Sequence, residues 1–536
     1  MRTDCVPFSE IPHTSRIFLD YLAHSPTVQN FYPRSPFFRD WVKAEAAEIH
    51  PNRERCAAVA ASLERQNRDF GSSENARRNI DRLRRGAFTV VTGQQVGLFG
   101  GPLFSILKAI SAVKTAAEIT AMGIDCVPVF WLASEDHDLA EVNHNAVIGS
   151  NGTLHELRTE ARGKEDSPVG DVIFTDEINV AIETFAAQLG PSPVLDFLRE
   201  SYRPGENFAS GFGKLFARLF AEWGVILLDP RDADLHRIAN PVFVGAVTHA
   251  DEINRDLLAR GRELQAAGYE EQVKVTPSSS LLFCFESGQR VPIRRAGGRF
   301  TIADREISPD KLATDVAAHP EHFSANVLLR PIMQDFLLPN LAYIGGAAEI
   351  AYFAQIAVVY RHLLGRITPV LPRYSATIVE SRQATLLKKY AISFTELLRG
   401  SDNPAELLAS RVLDPNLIAK FERASSQIDS AMKSVTSALQ QLDPTLVDSA
   451  EKAQAKMLYQ IEQLQGRAAR AQARRTEDIQ RHAELLSSSL FPHKTLQERE
   501  IAGIYFLARH GLELLHTLYG AVQTDCNGHH VLYLES

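Results

Sequence analysis

The stretch from Ala87 to Leu132 constrains the fold more than any other part of the chain. Ala87 to Thr92 is a short β-branched run, and the loop GQQVGLFGGP follows at Gly93 to Pro102. Leu103, Ile106, Leu107, Ile110, Val113 and Ala117 then recur at helical spacing until Gly123 offers a stop. Cys126 to Leu132 is apolar again and reads as a second strand. Strand, glycine turn, helix and strand in that order form a βαβ unit, which requires a parallel sheet and a right-handed crossover. The order recurs downstream. Leu341 to Ile344 runs into Gly345 and Gly346, a helix follows from about Ala347 to Leu364, and a strand lies near Thr368 to Leu371. Val225 to Leu228 adds another buried strand. Residues 1–380 are therefore expected to form an α/β core, with helices in the first 86 residues and insertions near 151–220 and 245–325.

Composition narrows the partners. The chain has 536 residues, 45% of them hydrophobic and 23% charged, enough to bury a large core. With 57 Lys plus Arg against 65 Asp plus Glu, the net charge of −8 excludes the electrostatic footprint of a dedicated nucleic-acid binder. Its five cysteines are scattered, without a CxxC pair or zinc-type spacing, so a reducing cytoplasm fits best. Phe88 to Leu107 is uncharged over a membrane-spanning length, but its glycines, glutamines and proline argue for buried loop and helix, and no membrane is expected.

Beyond about Glu380 the sequence turns to Ala, Leu, Gln, Glu, Lys and Arg. Phe421, Ile428, Val435 and Leu442 fall every seven residues, and Ala450, Met457, Leu464 and Ala471 repeat the period after Pro444. Two heptad helices around a short turn make an antiparallel coiled-coil hairpin within residues 381–490. Its alanine-rich seam buries little area, so a partner surface is expected as well. Residues 491–536 are expected to be helical and to pack on the core, with Thr495 and Glu498 as a capping box.

Four stretches could carry chemistry. The loop at Gly93 to Pro102 is no Walker A motif, since no Lys-Ser or Lys-Thr follows it and Lys108 lies inside the helix. Its position, between a strand end and a helix N-terminus, suits an anion, with Gln94 and Gln95 adding amides; a tight structural turn is the alternative. SEDHDLAEVNH at Ser134 to His144 presents Asp136 and His137 just past a strand end, where ligands of open α/β sheets bind. His137 suits a general base. On a helix, His137, Glu141 and His144 would share a face and could take a metal, whereas Asp138 with Glu141 resembles an N-cap. In Asn326 to Gln355, Arg330 could pair with a carboxylate or phosphate, Gly345 and Gly346 would admit a ligand, and Glu349 could receive an ammonium or compensate a helix dipole. PRYSAT places Arg373 and Ser375 after another strand, near where phosphate contacts fall.

Taken together, these stretches resemble the BshC family, the cysteine-adding enzymes of bacillithiol biosynthesis. The matching pieces are VVTGQQVGLFGGPLFSILKAISA from Val90, PVFWLASEDHDLAEVNH from Pro128, NVLLRPIMQDFLLPNLAYIGGAAEIAYFAQ from Asn326, and LFP with LQER between Leu490 and Arg499. The resemblance implies a Rossmann-like parallel-sheet core similar to class I nucleotidyltransferases, with insertions and a coiled coil that forms a homodimer. It also implies a ligase that joins cysteine to glucosaminyl malate through an activated carboxyl group, with ATP or ADP as cofactor; no metal is predicted from the residues. In that reading Gly93, Gln94, Gln95, Gly97, Gly100 and Gly101 line a nucleotide pocket with Arg373 and Ser375 near phosphate. Asp136 and His137 orient or deprotonate the amine, while Arg330, Gly345, Gly346 and Glu349 hold substrate. No HIGH or KMSKS signature is present, which leaves adenylation and phosphorylation of the carboxylate equally open. A nucleotide-binding scaffold and a metal-dependent amino-sugar hydrolase are the competing classes.

Overall fold

The computed structural model describes the chain except residues 1, 33, 401, 476, 535 and 536. Its centre is a parallel sheet of five strands, β1 (Phe88–Gln94), β2 (Cys126–Leu132), β3 (Ile226–Leu228), β4 (Asn340–Gly345) and β5 (Val370–Pro372), in the order β5-β4-β1-β2-β3. Helix α1 (Leu103–Ala121) connects β1 to β2, and α2 (Ala347–Leu363) connects β4 to β5. Both βαβ units expected from the sequence are present. Their strands read as unbroken apolar runs because helices cover both faces of the sheet. Val91 and Trp131 pack into one core cluster, Phe130 and Leu132 into another, and Val90 with Ala342 into a third.

Chain order runs outward from β1 in both directions, so the topological switch point lies between β1 and β4. Register brings the strand ends level: Gln94 pairs with Leu132, Ile344 with Thr92, and Gly345 with Pro372. Anything held at these ends meets contributions from several strands at once.

The second insertion contains an antiparallel five-stranded sheet running from Ser279–Glu286 to Phe323–Ala325. At the chain ends the structure differs from the helical expectation. Arg2–Val6 and His529–Tyr533 are strands, and with Ala376–Val379 they form a three-stranded sheet that joins both termini. The expected capping box at Thr495 and Glu498 is absent. The helix there spans only Gln497–Glu500 with Leu496 as its N-cap, because Glu498 is drawn inward by Arg373.

Heptad periodicity does give the hairpin. Helices α3 (Pro415–Leu442) and α4 (Val447–Arg475) lie antiparallel around the turn Pro444–Leu446, and Gln454 on α4 donates to Asp429 on α3 at 2.8 Å. No helix among the described residues is long and apolar enough to cross a membrane.

Candidate active site

The first structural element of the site is a buried ion pair at the switch point. Lys108 is the only charged residue in the first two turns of α1, and its Nζ donates to the Gly93 carbonyl at 2.8 Å and to Gln94 Oε1 at 3.0 Å. It also lies 2.5 Å from Glu349 Oε2. An ammonium has three donors, and all three have acceptors here. Burial lowers the Lys108 pKa to about 8 although Glu349 opposes the shift. Burial alone would raise Glu349, but Lys108, the Gly346 N–H and Tyr343 hold it below the ordinary carboxylate range. Glu349 accepts from Gly346 N at 2.8 Å and from the Tyr343 hydroxyl at 2.5 Å. Arg330 donates to the hydroxyls of Tyr352 at 2.6 Å and Tyr343 at 3.5 Å. One network thus ties β1, α1, β4 and α2 together, and the Glu349 carboxylate is turned into the protein.

On one side of this bridge, past the ends of β2 and β3, lies a cavity of about 430 Å³ that includes Asp136, His137, Arg290 and Arg330 in its wall. Gln95 Nε2 donates to Asp136 Oδ2 at 2.8 Å and to Glu141 Oε2 at 2.7 Å, so the glutamine end of the loop touches the acidic motif directly. The backbone N–H of His137 donates to Asp136 Oδ1 at 2.9 Å. Arg290, from the antiparallel insertion, packs over Phe283 and is held by Ser324 and the Ala325 carbonyl. Its remaining nitrogen lies 3.4 Å from His137 Nδ1. A guanidinium can only donate, so Nδ1 accepts and the ring proton sits on Nε2. Behind them Glu135 bonds His236 at 2.9 Å; burial alone would lower that imidazole, but the carboxylate outweighs burial and raises it.

The helix-face premise for a metal at His137, Glu141 and His144 does not hold. The helix spans only Leu139–Val142, Asp138 caps it by accepting from the Glu141 N–H at 3.2 Å, and His144 opens a strand. These residues are not among the clusters of metal-ligating type found in the described residues.

On the other side of the bridge, past the ends of β4 and β5, a second cavity of about 350 Å³ is lined by Gly345, Gly346, Arg373, Ser375, Glu498 and Arg499. The N-terminus of the seventeen-residue α2 opens into it. Arg373 forks onto Glu498, with NH1 at 2.9 Å and NH2 at 2.5 Å, and Ser375 donates to the same carboxylate at 2.7 Å. Burial alone would raise Glu498, but Arg373 holds it below the ordinary range. Among the described residues Arg499 has no carboxylate within ion-pair distance, and burial lowers its pKa. It is the free cation of this cavity.

None of Gly93 to Pro102 lines either cavity. From Val96 onward the loop turns into the core: the Gly100 N–H donates to the Tyr202 hydroxyl at 2.9 Å, and a Cβ at Gly100 would press on Leu215 and Phe216. Gly100 and Gly101 have φ of 84° and 74°, the left-handed region that glycine adopts without strain. The loop therefore meets the sheet end only through Gly93, Gln94 and Gln95. Sequence reasoning missed Lys108, Arg290, Glu498 and Arg499 as site residues. A lone lysine in an apolar helix was a signal for the first; Arg290 had none.

Comparison with known proteins follows this geometry. Residues 1–374 match the family description "Bacillithiol biosynthesis BshC, N-terminal Rossmann-like domain", and residues 376–534 match "Bacillithiol biosynthesis BshC, C-terminal coiled-coil domain". A protein of Koribacter versatilis named "Putative cysteine ligase BshC" is 48% identical, over 99% of this chain and 100% of its own. A protein of the same name from Solibacter usitatus is 37% identical, again over 99% of this chain and 100% of its own. Among solved structures, one titled "putative arginyl tRNA synthetase" from Campylobacter jejuni overlaps 88% of this chain and 98% of its own at 11% identity and a TM-score of 0.22.

Proposed function

The chain belongs to the BshC family, and from that premise we propose that it is a ligase joining the carboxyl group of cysteine to the amine of glucosaminyl malate. A carboxylate and an amine do not condense in water, so the carboxyl group is first activated by ATP. Its oxygen attacks phosphorus, expelling either pyrophosphate to give an acyl adenylate or ADP to give an acyl phosphate. The amine then attacks the acyl carbon, the C–N bond forms, and AMP or phosphate leaves.

One observation carries this reading: two cavities of different chemistry open at the carboxyl end of one parallel sheet, on either side of the Lys108–Glu349 bridge. The cavity with the α2 N-terminus, Gly345, Gly346, Arg373, Ser375 and Arg499 suits nucleotide phosphates. The cavity with Asp136 and His137 suits the amine, and Arg330 and Arg290 suit the malate carboxylates. Asp136 takes the ammonium proton, and His137, whose Nε2 carries hydrogen, orients the acceptor. Gly93, Gln94 and Gln95 hold the bridge and Asp136, while Gly97, Gly100 and Gly101 give the loop its path into the core.

The test is direct. Purified protein incubated with cysteine, glucosaminyl malate and ATP should yield a product with the summed mass of the two substrates less one water. Appearance of AMP or of ADP identifies the route. No product with either nucleotide would remove the assignment.

We also propose a homodimer through the hairpin. Val435, Leu442, Met457 and Leu464 remain 46%, 78%, 44% and 53% exposed after α3 and α4 pair. An apolar seam left that open fits a second copy of itself.

A further inference from the structure

A cluster of ligand-type side chains lies outside both cavities and has no task in the proposed reaction. Cys5 on the N-terminal strand is paired directly with His530 on the C-terminal strand. Directly opposed residues of an antiparallel ladder point to one face, with Cβ atoms about 4.5–5.5 Å apart. Cys526, just ahead of the C-terminal strand, places its sulfur 3.0 Å from that of Cys5. The two sulfurs and a ring nitrogen of His530 lie within 4.8 Å of one another, the only such trio among the described residues.

Two further observations point to an occupant. His530 is 1% exposed, and its ring nitrogens meet no oxygen or nitrogen partner, only the Cys526 thiol of the same cluster. A buried polar group left unpaired costs about 1–3 kcal/mol, and almost all such groups in folded proteins are satisfied. The backbone is also shaped around the thiol: a Cβ at Gly528 would stand 2.2 Å from Cys5 Sγ, so only glycine leaves room for that sulfur.

We propose that Cys5, Cys526 and His530 bind one divalent cation of the zinc type and so clamp the two ends of the chain together. Two sulfurs and an imidazole suit a soft to borderline cation, and the cluster offers none of the oxygens that calcium or magnesium requires. On binding, each thiol releases one proton, the imidazole binds as the neutral ring, and water completes the tetrahedron on the side where Cys5 is exposed. Zn–S bonds of about 2.3 Å in a tetrahedron set the sulfurs roughly 3.8 Å apart, a shift of less than about 1 Å from their present separation. A Cys5–Cys526 disulfide is the competing state. It draws the sulfurs to about 2.05 Å and leaves His530 without a partner. The clamp also bears on the second cavity, because the adjacent His529 holds the Ser375 hydroxyl at 2.8 Å.

The full-length protein, reduced and stripped of metal, is titrated with Zn(II) against a chromophoric chelator, and with Co(II) followed by visible absorption. The expected result is one equivalent bound, with the d–d bands and sulfur-to-cobalt charge transfer of a tetrahedral thiolate site. Cys5→Ser and Cys526→Ser should each weaken binding by more than the roughly 10–100-fold that loss of an outer-shell partner costs. Cys56→Ser, at a buried cysteine elsewhere, should leave binding unchanged. Because His530→Ala empties a buried position, circular dichroism accompanies that variant, and the two serine variants carry the conclusion if it unfolds. Absence of a bound equivalent overturns the proposal. So does undiminished binding in the Cys5→Ser/Cys526→Ser double variant, or metal-free protein from air whose peptide map contains a Cys5–Cys526 disulfide that forms again after reduction in the presence of Zn(II).

Discussion

Lys108 and Glu349 face each other across the β1–β4 crevice with 3% and 17% of their side chains exposed, whereas Asp136 and His137, past the end of β2, keep 39% and 35%. Both clusters sit at the carboxyl end of one sheet. In the first, every donor of the ammonium is taken and the carboxylate accepts from Lys108, a helix N-terminus and a tyrosine, so most of the pair's hydrogen-bonding capacity is spent inside the protein. In the second, Asp136 accepts from Gln95 and from the His137 N–H, His137 meets Arg290, and both side chains look onto open volume. A closed charge pair at a strand end builds the site, and an open one is free to do chemistry.

Substitution should separate the two. If Asp136 accepts the amine proton, Asp136→Asn should lower ligation by about 10²–10⁴-fold, as loss of a general base does, with an unchanged denaturation midpoint. His137→Ala should fall in the same direction. Parental turnover in a folded Asp136→Asn protein would end that assignment.

At the bridge the effect should appear in stability instead. Lys108→Met leaves Glu349 buried without its cation and should cost about 3–5 kcal/mol, read as a lower urea midpoint at unchanged slope. Adding Glu349→Leu should recover part of that loss, because the orphaned charge disappears. A Lys108→Met protein as stable as the parent would mean that the pair is ornamental.

A smaller effect follows from pH. Since burial depresses Lys108 to about 8, the unfolded chain holds more protons than the folded one above that pH. Stability from this group should therefore rise between about pH 8 and the ordinary lysine range, by at most about 1.4 kcal/mol per unit. The difference in urea midpoint between parent and Lys108→Met at pH 7.5 and pH 9.5 measures it; a difference that shrinks with pH has the wrong sign. The smallest effect on either cluster should come from the hairpin. Replacing residues 415–475 with a short Gly-Ser linker should convert a dimer to a monomer in light scattering and leave ligation per subunit within a few fold. A parent that is monomeric at micromolar concentration would give the hairpin another task.

Much of the core was legible because its signals are local. β-branched runs, the glycine turns and helical spacing fixed β1, α1, β2, β4 and α2 to within a few residues, and heptads fixed the hairpin. Glu498 shows where local reading fails. Its spacing from Thr495 fits a capping box, yet Arg373, 125 positions earlier in the chain, takes its carboxylate into the core. His137, Glu141 and His144 fail for the same reason, since a four-residue helix cannot carry a helix-face ligand set.

The amino-acid sequence by itself determined the parallel βαβ framework, the coiled-coil hairpin and the presence of acid, imidazole and glycine at strand ends, because each depends on neighbours a few positions apart. Only the tertiary structure decided which of those groups meet. Lys108 reaches Glu349 across 240 intervening positions, Arg290 arrives at His137 from a separate sheet, and the two ends of the chain bring Cys5, Cys526 and His530 together. The parallel register levels strand ends that lie far apart in the chain, and burial then fixes which charges are closed off and which stay open to a ligand.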